Sequence, residues 1–138
     1  VVTGANSGLG RAAAKALAEL GHEVHMLCRN EGRGAKARDE LAEDTKSDSL
    51  FMHVVDVSNA ESVAAFCTAF TAAHERLDVL VNNAGVLLNE RQETDEGLEA
   101  TFATNTLGTY RLTEALLPLL SKSGTAEEPA RVVAVSSG

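Results

Sequence analysis

The sequence predicts an α/β protein built on a doubly wound parallel sheet with strand order 3-2-1-4-5. Three observations carry that expectation. Short apolar runs alternate with helix-period segments from one end of the chain to the other, and such alternation specifies a parallel sheet covered by helices on both faces. Right-handed crossovers then leave few strand orders. The fourth run, Asp78 to Val81, is apolar without interruption after its first residue, as in a strand buried on both faces. Finally, Gly4, Arg29, Asp56, Asn83 and Ser137 each stand just past one of the five runs, which is the edge where open α/β sheets bind ligands.

The elements follow in order. Val1-Val2 is the tail of the first strand. The first helix spans about Leu9 to Leu20, with Leu9, Ala13, Ala16, Leu17 and Leu20 expected on its buried face and Gly21 as its stop. The second strand is Glu23 to Cys28, and the second helix is Glu31 to Glu43, where the charge run from Arg33 reads as a solvated face. The third strand is Leu50 to Val55. Ser58-x-x-Glu61 looks like a capping box opening the third helix, which carries Val63, Phe66, Cys67 and Phe70 at helical spacing. A long fourth helix is expected over Asp95 to Leu120, bent or ended near Pro118. Lys122 to Pro129 is a polar loop before the fifth strand, Arg131 to Val135.

The 138 residues suggest a single domain, 1–138. A net charge of −8 argues against nucleic acid and against an anionic membrane as partners, since both favour a basic face. No apolar run reaches the length of a membrane span, and no targeting segment is visible in the chain. Cys28 and Cys67 are far apart and fit no metal or redox spacing. They read as buried reduced thiols, which points to the cytoplasm or another reducing compartment. His22, His25, His53 and His74 form no metal-ligand pattern, so no metal is expected. The chain begins inside a strand and stops just after another, as a piece of a longer protein would.

The densest signal is Thr3-Gly4-Ala5-Asn6-Ser7-Gly8-Leu9-Gly10 between the first strand and an alanine-rich helix. Glycine admits positive φ and a close backbone approach. The helix that follows aims free N–H groups and its positive dipole end at an anion. Strand, glycine loop and helix in succession are the context of a dinucleotide fingerprint, although a tight turn without ligand has the same outline. The end of the second strand holds Cys28 and Arg29 where an NAD-preferring unit places Asp or Glu. No carboxylate there would repel a 2′-phosphate, and Arg29 could bind one, with Ser7 and Asn30 adding hydrogen bonds. The cofactor expected is therefore NADP(H) rather than NAD(H). Arg29 as a plain surface cation is the alternative.

Together with Asp56-Val57-Ser58, Asn82-Asn83-Ala84-Gly85, Asn105 and Val135-Ser136-Ser137, the glycine loop makes the chain resemble the short-chain dehydrogenase/reductase family, a Rossmann-fold family. Thr94-Asp95-Glu96-Gly97-Leu98-Glu99, Asn105-Thr106-Leu107-Gly108 and Cys28-Arg29-Asn30 are similar to its retinol dehydrogenase-like branch. The resemblance implies hydride transfer between a nicotinamide cofactor and a small-molecule carbonyl or alcohol, with a homo-oligomer as the expected state of the whole protein. It implies that Gly4, Ala5, Asn6, Ser7, Gly8, Leu9 and Gly10 wrap the pyrophosphate, with Thr3 bracing the turn or simply ending the strand. Asp56, with Val57 beside it, would take the adenine amino group, or else cap a helix. Asn83, Ala84 and Gly85 would line the adenosine side and tie the fourth strand to the glycine loop. Ser137 would hold the substrate oxygen, and Asn105 would feed a proton-relay water.

The family's Tyr-x-x-x-Lys pair is missing from the chain. The single tyrosine, Tyr110, has Glu114 at the fourth place, so these 138 residues alone are expected to lack activity. Val86 to Gln92 is either a plain loop or a substrate contact. A non-catalytic NADP(H) sensor or scaffold remains the other reading. A sugar-nucleotide epimerase is disfavoured by the glycine spacing.

Overall fold

The computed structural model describes residues 1–137. β1 (Val2–Thr3), β2 (Val24–Cys28), β3 (Leu50–Val54), β4 (Val79–Asn82) and β5 (Arg131–Ala134) form one sheet in the order β3-β2-β1-β4-β5, the order expected. Val2 pairs in parallel with Met26 and with Val81, and Val24 pairs with Leu50. β5 joins through Arg131 N–H to Asp78 O at 2.8 Å and Val135 N–H to Asn82 O at 2.9 Å.

The chain divides into two compact units. The first comprises Val1–Val55, Val81–Asn83 and the residues from Ala134 on. Val2, Val24, Met26 and Leu27 make its sheet core, with Ala14 and Ala18 of α1 (Gly8–Glu19) and Leu41 of α2 (Glu31–Thr45) also buried. The buried face of α1 is Gly10, Ala14 and Ala18 rather than the face built on Leu9 and Leu20. Leu9 and Leu20 are 72% and 75% exposed. Alanine and glycine face inward because the helix lies close to its neighbours, so the larger leucines at its ends are displaced outward. Gly21 does end the helix: at φ 83° its N–H reaches Ala18 O while His22 N–H reaches Leu17 O, the paired closure that left-handed glycine permits.

The second unit comprises Asp56–Leu80 and Ala84–Val133. α3 (Ala60–Ala73) buries Val63, Phe66, Cys67 and Phe70, and α5 (Thr109–Ser123) buries Leu112, Leu116, Leu119 and Leu120. Three expectations are corrected here. The cap of α3 is Asn59, whose Oδ1 accepts Ser62 N–H at 2.8 Å, so Ser58 and Glu61 form no capping box. The fourth helix does not begin at Asp95. Residues 93–99 fold back as a bridge between Glu93 and Glu99, turning at Gly97 with φ 74°, and the helix opens with α4 (Ala100–Phe102). It continues as a π-turn (Ala103–Gly108) and then as α5. Pro118 does not end it, since α5 runs on to Ser123. Pro118 and Glu114, whose carbonyl loses its helical partner to the proline, both lie on the exposed side, where water can serve that carbonyl.

Leu112 is fully buried in α5. Leu112→Ala is expected to destabilise the protein by about 2–5 kcal/mol through lost burial plus a cavity, read as a lower urea midpoint at unchanged slope.

Candidate functional site

In the first unit, the glycine loop runs from the end of β1 into the first turn of α1. Gly4 (φ 62°) and Gly8 (φ 54°) are both left-handed, a conformation that costs other residues of order 1 kcal/mol or more. Gly10 has a different role: a Cβ there would overlap Asn83 Nδ2 and the Gly4 carbonyl. Thr3 links the ends of β1 and β4. Its Oγ1 accepts Asn83 N–H at 2.9 Å and donates toward Val81 O at 3.4 Å. Asn83 Nδ2 in turn donates to Thr3 O at 3.0 Å and Gly4 O at 3.4 Å. Ala5 is buried, Asn6 is half-buried, and Ser7 precedes α1 without a side-chain capping bond, leaving its hydroxyl and the first amides of α1 to a ligand.

At the end of β2 the two neighbours separate sharply. Cys28 is buried, and burial pushes its thiol pKa up against a bond from the Ala5 backbone. A Cβ on Gly34 of α2 would come within 2.9 Å of Cys28 Cβ, so the helix crosses there at backbone distance. Arg29 and Asn30 are exposed. Asn30 Oδ1 caps α2 by accepting Arg33 N–H at 2.9 Å, which leaves its amide N–H groups to a ligand. Cys67 in the second unit is likewise a free buried thiol, its pKa raised to about 11 by desolvation.

In the second unit Asp56 is half-buried. Its Oδ1 accepts Ser58 N–H at 2.9 Å and Ser58 Oγ–H at 2.6 Å, while its own N–H donates to Ser62 Oγ at 3.0 Å. The carboxylate is therefore oriented by a tight turn rather than used as a helix cap. Val57 is buried, and a Cβ on Gly108 would overlap its carbonyl, so the π-turn rests directly on this loop. Asn105 sits in the middle of the π-turn and clamps Val86 twice: Oδ1 accepts Val86 N–H and Nδ2 donates to Val86 O, each at 2.8 Å. Such π-bulges recur at functional sites. Ala84 and Gly85 continue irregularly after β4. A cavity of about 200 Å³ adjoins the Asp56 turn, lined also by Thr94, Asp95 and Glu96.

Ser136 and Ser137 are exposed just past β5. Tyr110 OH donates to Glu114 Oε1 at 2.9 Å, and that bond raises its pKa, opposite to what a proton-transfer tyrosine needs. Sequence reasoning missed Glu99, whose carboxylate accepts Phe102 N–H at 2.7 Å and Thr101 N–H at 2.9 Å and so starts α4. It also missed Glu96, which bonds Ala60 and Arg111. Gly97, which falls inside the stretch expected to be helix, was the signal available for both.

A strand, glycine loop and helix in succession on a parallel sheet of order β3-β2-β1-β4-β5 define a Rossmann-like α/β fold. The profile described as short chain dehydrogenase matches residues 1–138, and the chain belongs to that family. It is 46% identical over its whole length to bovine dehydrogenase/reductase SDR family member 12, of which it covers 42%. Human retinol dehydrogenase 12 is 39% identical over 137 residues, 42% of that protein. The chain thus spans less than half the length of these relatives. Among solved structures, a metagenomic short-chain oxidoreductase in complex with NADP superposes with TM-score 0.82 at 31% identity, covering 99% of this chain and 61% of that one. The Pseudomonas aeruginosa RhlG/NADP active-site complex gives 0.79 at 30% identity, covering 95% and 51%.

Two outcomes are expected. Thr3→Val leaves the Asn83 N–H without its acceptor and should cost about 1–3 kcal/mol in denaturant unfolding. The Glu99 carboxylate is held below the usual 4.5, first by the Phe102 amide. Its stabilising effect is therefore present above that value and lost as pH falls through the lowered one. Melting curves taken through the acid range should fall less steeply in Glu99→Gln than in wild type.

Proposed function

We propose that this chain is the cofactor-binding part of an NADP(H)-dependent oxidoreductase that interconverts a carbonyl and an alcohol by hydride transfer. The observation that carries the reading is the glycine loop. Two left-handed glycines and a third that admits no Cβ shape a backbone surface open to a pyrophosphate at the start of α1. Thr3 and Asn83 hold that surface in place. Gly4 through Gly10 would present amides to the phosphates, and Asn83, Ala84 and Gly85 would flank the adenosine. Asp56 would accept the adenine amino group through the oxygen that Ser58 leaves unused, with Val57 beside it.

The bound cofactor would supply or accept the hydride. The protein would hold the substrate oxygen with Ser137. Asn105 spends both atoms of its amide group on Val86, so it would support proton relay through its main chain and by fixing the segment after Gly85. Arg29, exposed beside a buried thiol rather than a carboxylate, would bind a 2′-phosphate and set the preference for NADP(H). Ser7 and Asn30 would add donors.

Catalysis also needs a tyrosine tuned by a nearby lysine, which these 138 residues do not hold. That same observation favours a second reading, a non-catalytic NADP(H) sensor or scaffold. Reductase activity in a protein joining this chain to a downstream Tyr-x-x-x-Lys would decide for the enzyme.

The first test is titration with NADPH and NADH. Wild type is expected to prefer NADPH. Arg29→Ala should weaken NADPH by about 10-fold or more and leave NADH nearly unchanged, the signature of a lost charge-assisted phosphate contact worth about 1.5–3 kcal/mol. Equal wild-type affinities would refute the NADP(H) preference.

A further inference from the structure

Glu96 lies in the bridged loop before α4, 36 residues from the amide it serves. Its Oε1 accepts the N–H of Ala60, the first residue of α3, at 2.9 Å. Helix starts leave such donors without backbone partners, and a carboxylate there also meets the positive dipole end. The same carboxylate is gripped from the other side by Arg111, through Nη1 to Oε1 at 3.1 Å and Nη2 to Oε2 at 2.9 Å. Side-chain exposure is only 28% for Arg111 and 30% for Glu96, and the two-point geometry is the stronger form of this pair. Arg111 stands on α5, three residues past Gly108, and Gly108 rests on the Val57 carbonyl.

The loop from Asp56 to Ala60 is thus held at both ends by one helix. Gly108 fixes Val57 directly. Arg111 fixes Ala60 through Glu96. Just ahead of those anchors, Asp56 has its backbone N–H on Ser62 and its carboxylate on Ser58. The helix that anchors this loop also carries Asn105. The arrangement is more than a stabilising surface pair, because Glu96 carries the grip of Arg111 on to Ala60, at the end of the segment that would meet the adenine.

We infer that Glu96 and Arg111 are positioning residues for cofactor capture, acting through the Asp56–Ala60 turn and locking it to the helix that carries Asn105. This rests on the cofactor reading above. Removing the clasp would let the turn move away from the pose that receives adenine, so affinity for the adenine half should fall even where the fold survives. Glu96 is held below the usual carboxylate range, first by Arg111 and then by the Ala60 amide, so the clasp is charged at neutral pH.

The test is made on the full-length protein, with adenosine 2′,5′-bisphosphate as a probe of the adenine half and NADPH as the complete cofactor. Glu96→Ala should weaken both by about tenfold, the loss of one or two charge-assisted bonds. Arg111→Gln, which leaves the Glu96–Ala60 bond in place and keeps the test open if Glu96→Ala folds poorly, should weaken both by a smaller factor. Arg111→Lys should recover part of that loss. Lower melting temperatures with unchanged dissociation constants would reduce the clasp to a structural brace and overturn the inference. Failure of wild type to bind either probe would overturn the cofactor reading itself, and this inference with it.

Discussion

The link between Thr3 and Asn83 is the constraint on which the glycine loop depends. Two parallel strands that are 80 residues apart in sequence end side by side, and the threonine hydroxyl and asparagine amide bridge them. A single neutral hydrogen bond contributes only about 1 kcal/mol net. Its weight here comes from geometry. Asn83 Nδ2 occupies the space that a Cβ on Gly10 would need, so α1 can approach β4 only with glycine at that position. The loop is thereby shaped before any ligand arrives, and preformed sites bind without the ordering cost of flexible ones.

The second unit is organised by an irregularity of a different kind. A π-turn adds a residue to each helical ring and breaks the regular ladder. Here the break is stabilised on both sides. Asn105 exchanges two bonds with Val86, and Gly108 lets the backbone settle on Val57. Asn-Thr-Leu-Gly is a poor helix sequence taken alone, since asparagine competes for backbone groups and glycine costs entropy. Those same properties suit a helix that must carry a π-turn against two loops.

The strand order, the glycine loop and the thiol environment were legible because each rests on local chemistry: apolar runs, spacing, and absence of nearby cysteine. What escaped was set by contacts distant in sequence. Leu9 and Leu20 gave the first helix a plausible apolar face, but close packing at Gly10, Ala14 and Ala18 decided its rotation. Ser58 and Glu61 had capping-box spacing, yet the Asp56 carboxylate claimed Ser58 and left Asn59 to cap α3. Thr94-Asp95-Glu96 resembled a helix start, while Gly97 turned the chain back and Glu99 capped its own helix. Side chains with several possible hydrogen-bond roles are resolved by neighbours that sequence spacing does not reveal.

The net charge of −8 has to be reconciled with the anionic cofactor proposed above, and the reconciliation is local. Fields of exposed charges fade over roughly 8–10 Å at ordinary ionic strength, so phosphates respond to the groups they touch. At the start of α1 those groups are backbone amides, whose partial charge does not enter the formal sum. The arginines divide in the same sense. Arg11, Arg38, Arg76, Arg91 and Arg111 are each paired with a carboxylate, and their charge is already answered. Arg29, like Arg33 and Arg131, has no such partner among the described residues, and of these three it is the one just past the end of β2. The acidic composition is thus compatible with the proposed phosphate contacts at the few positions where donors are left open.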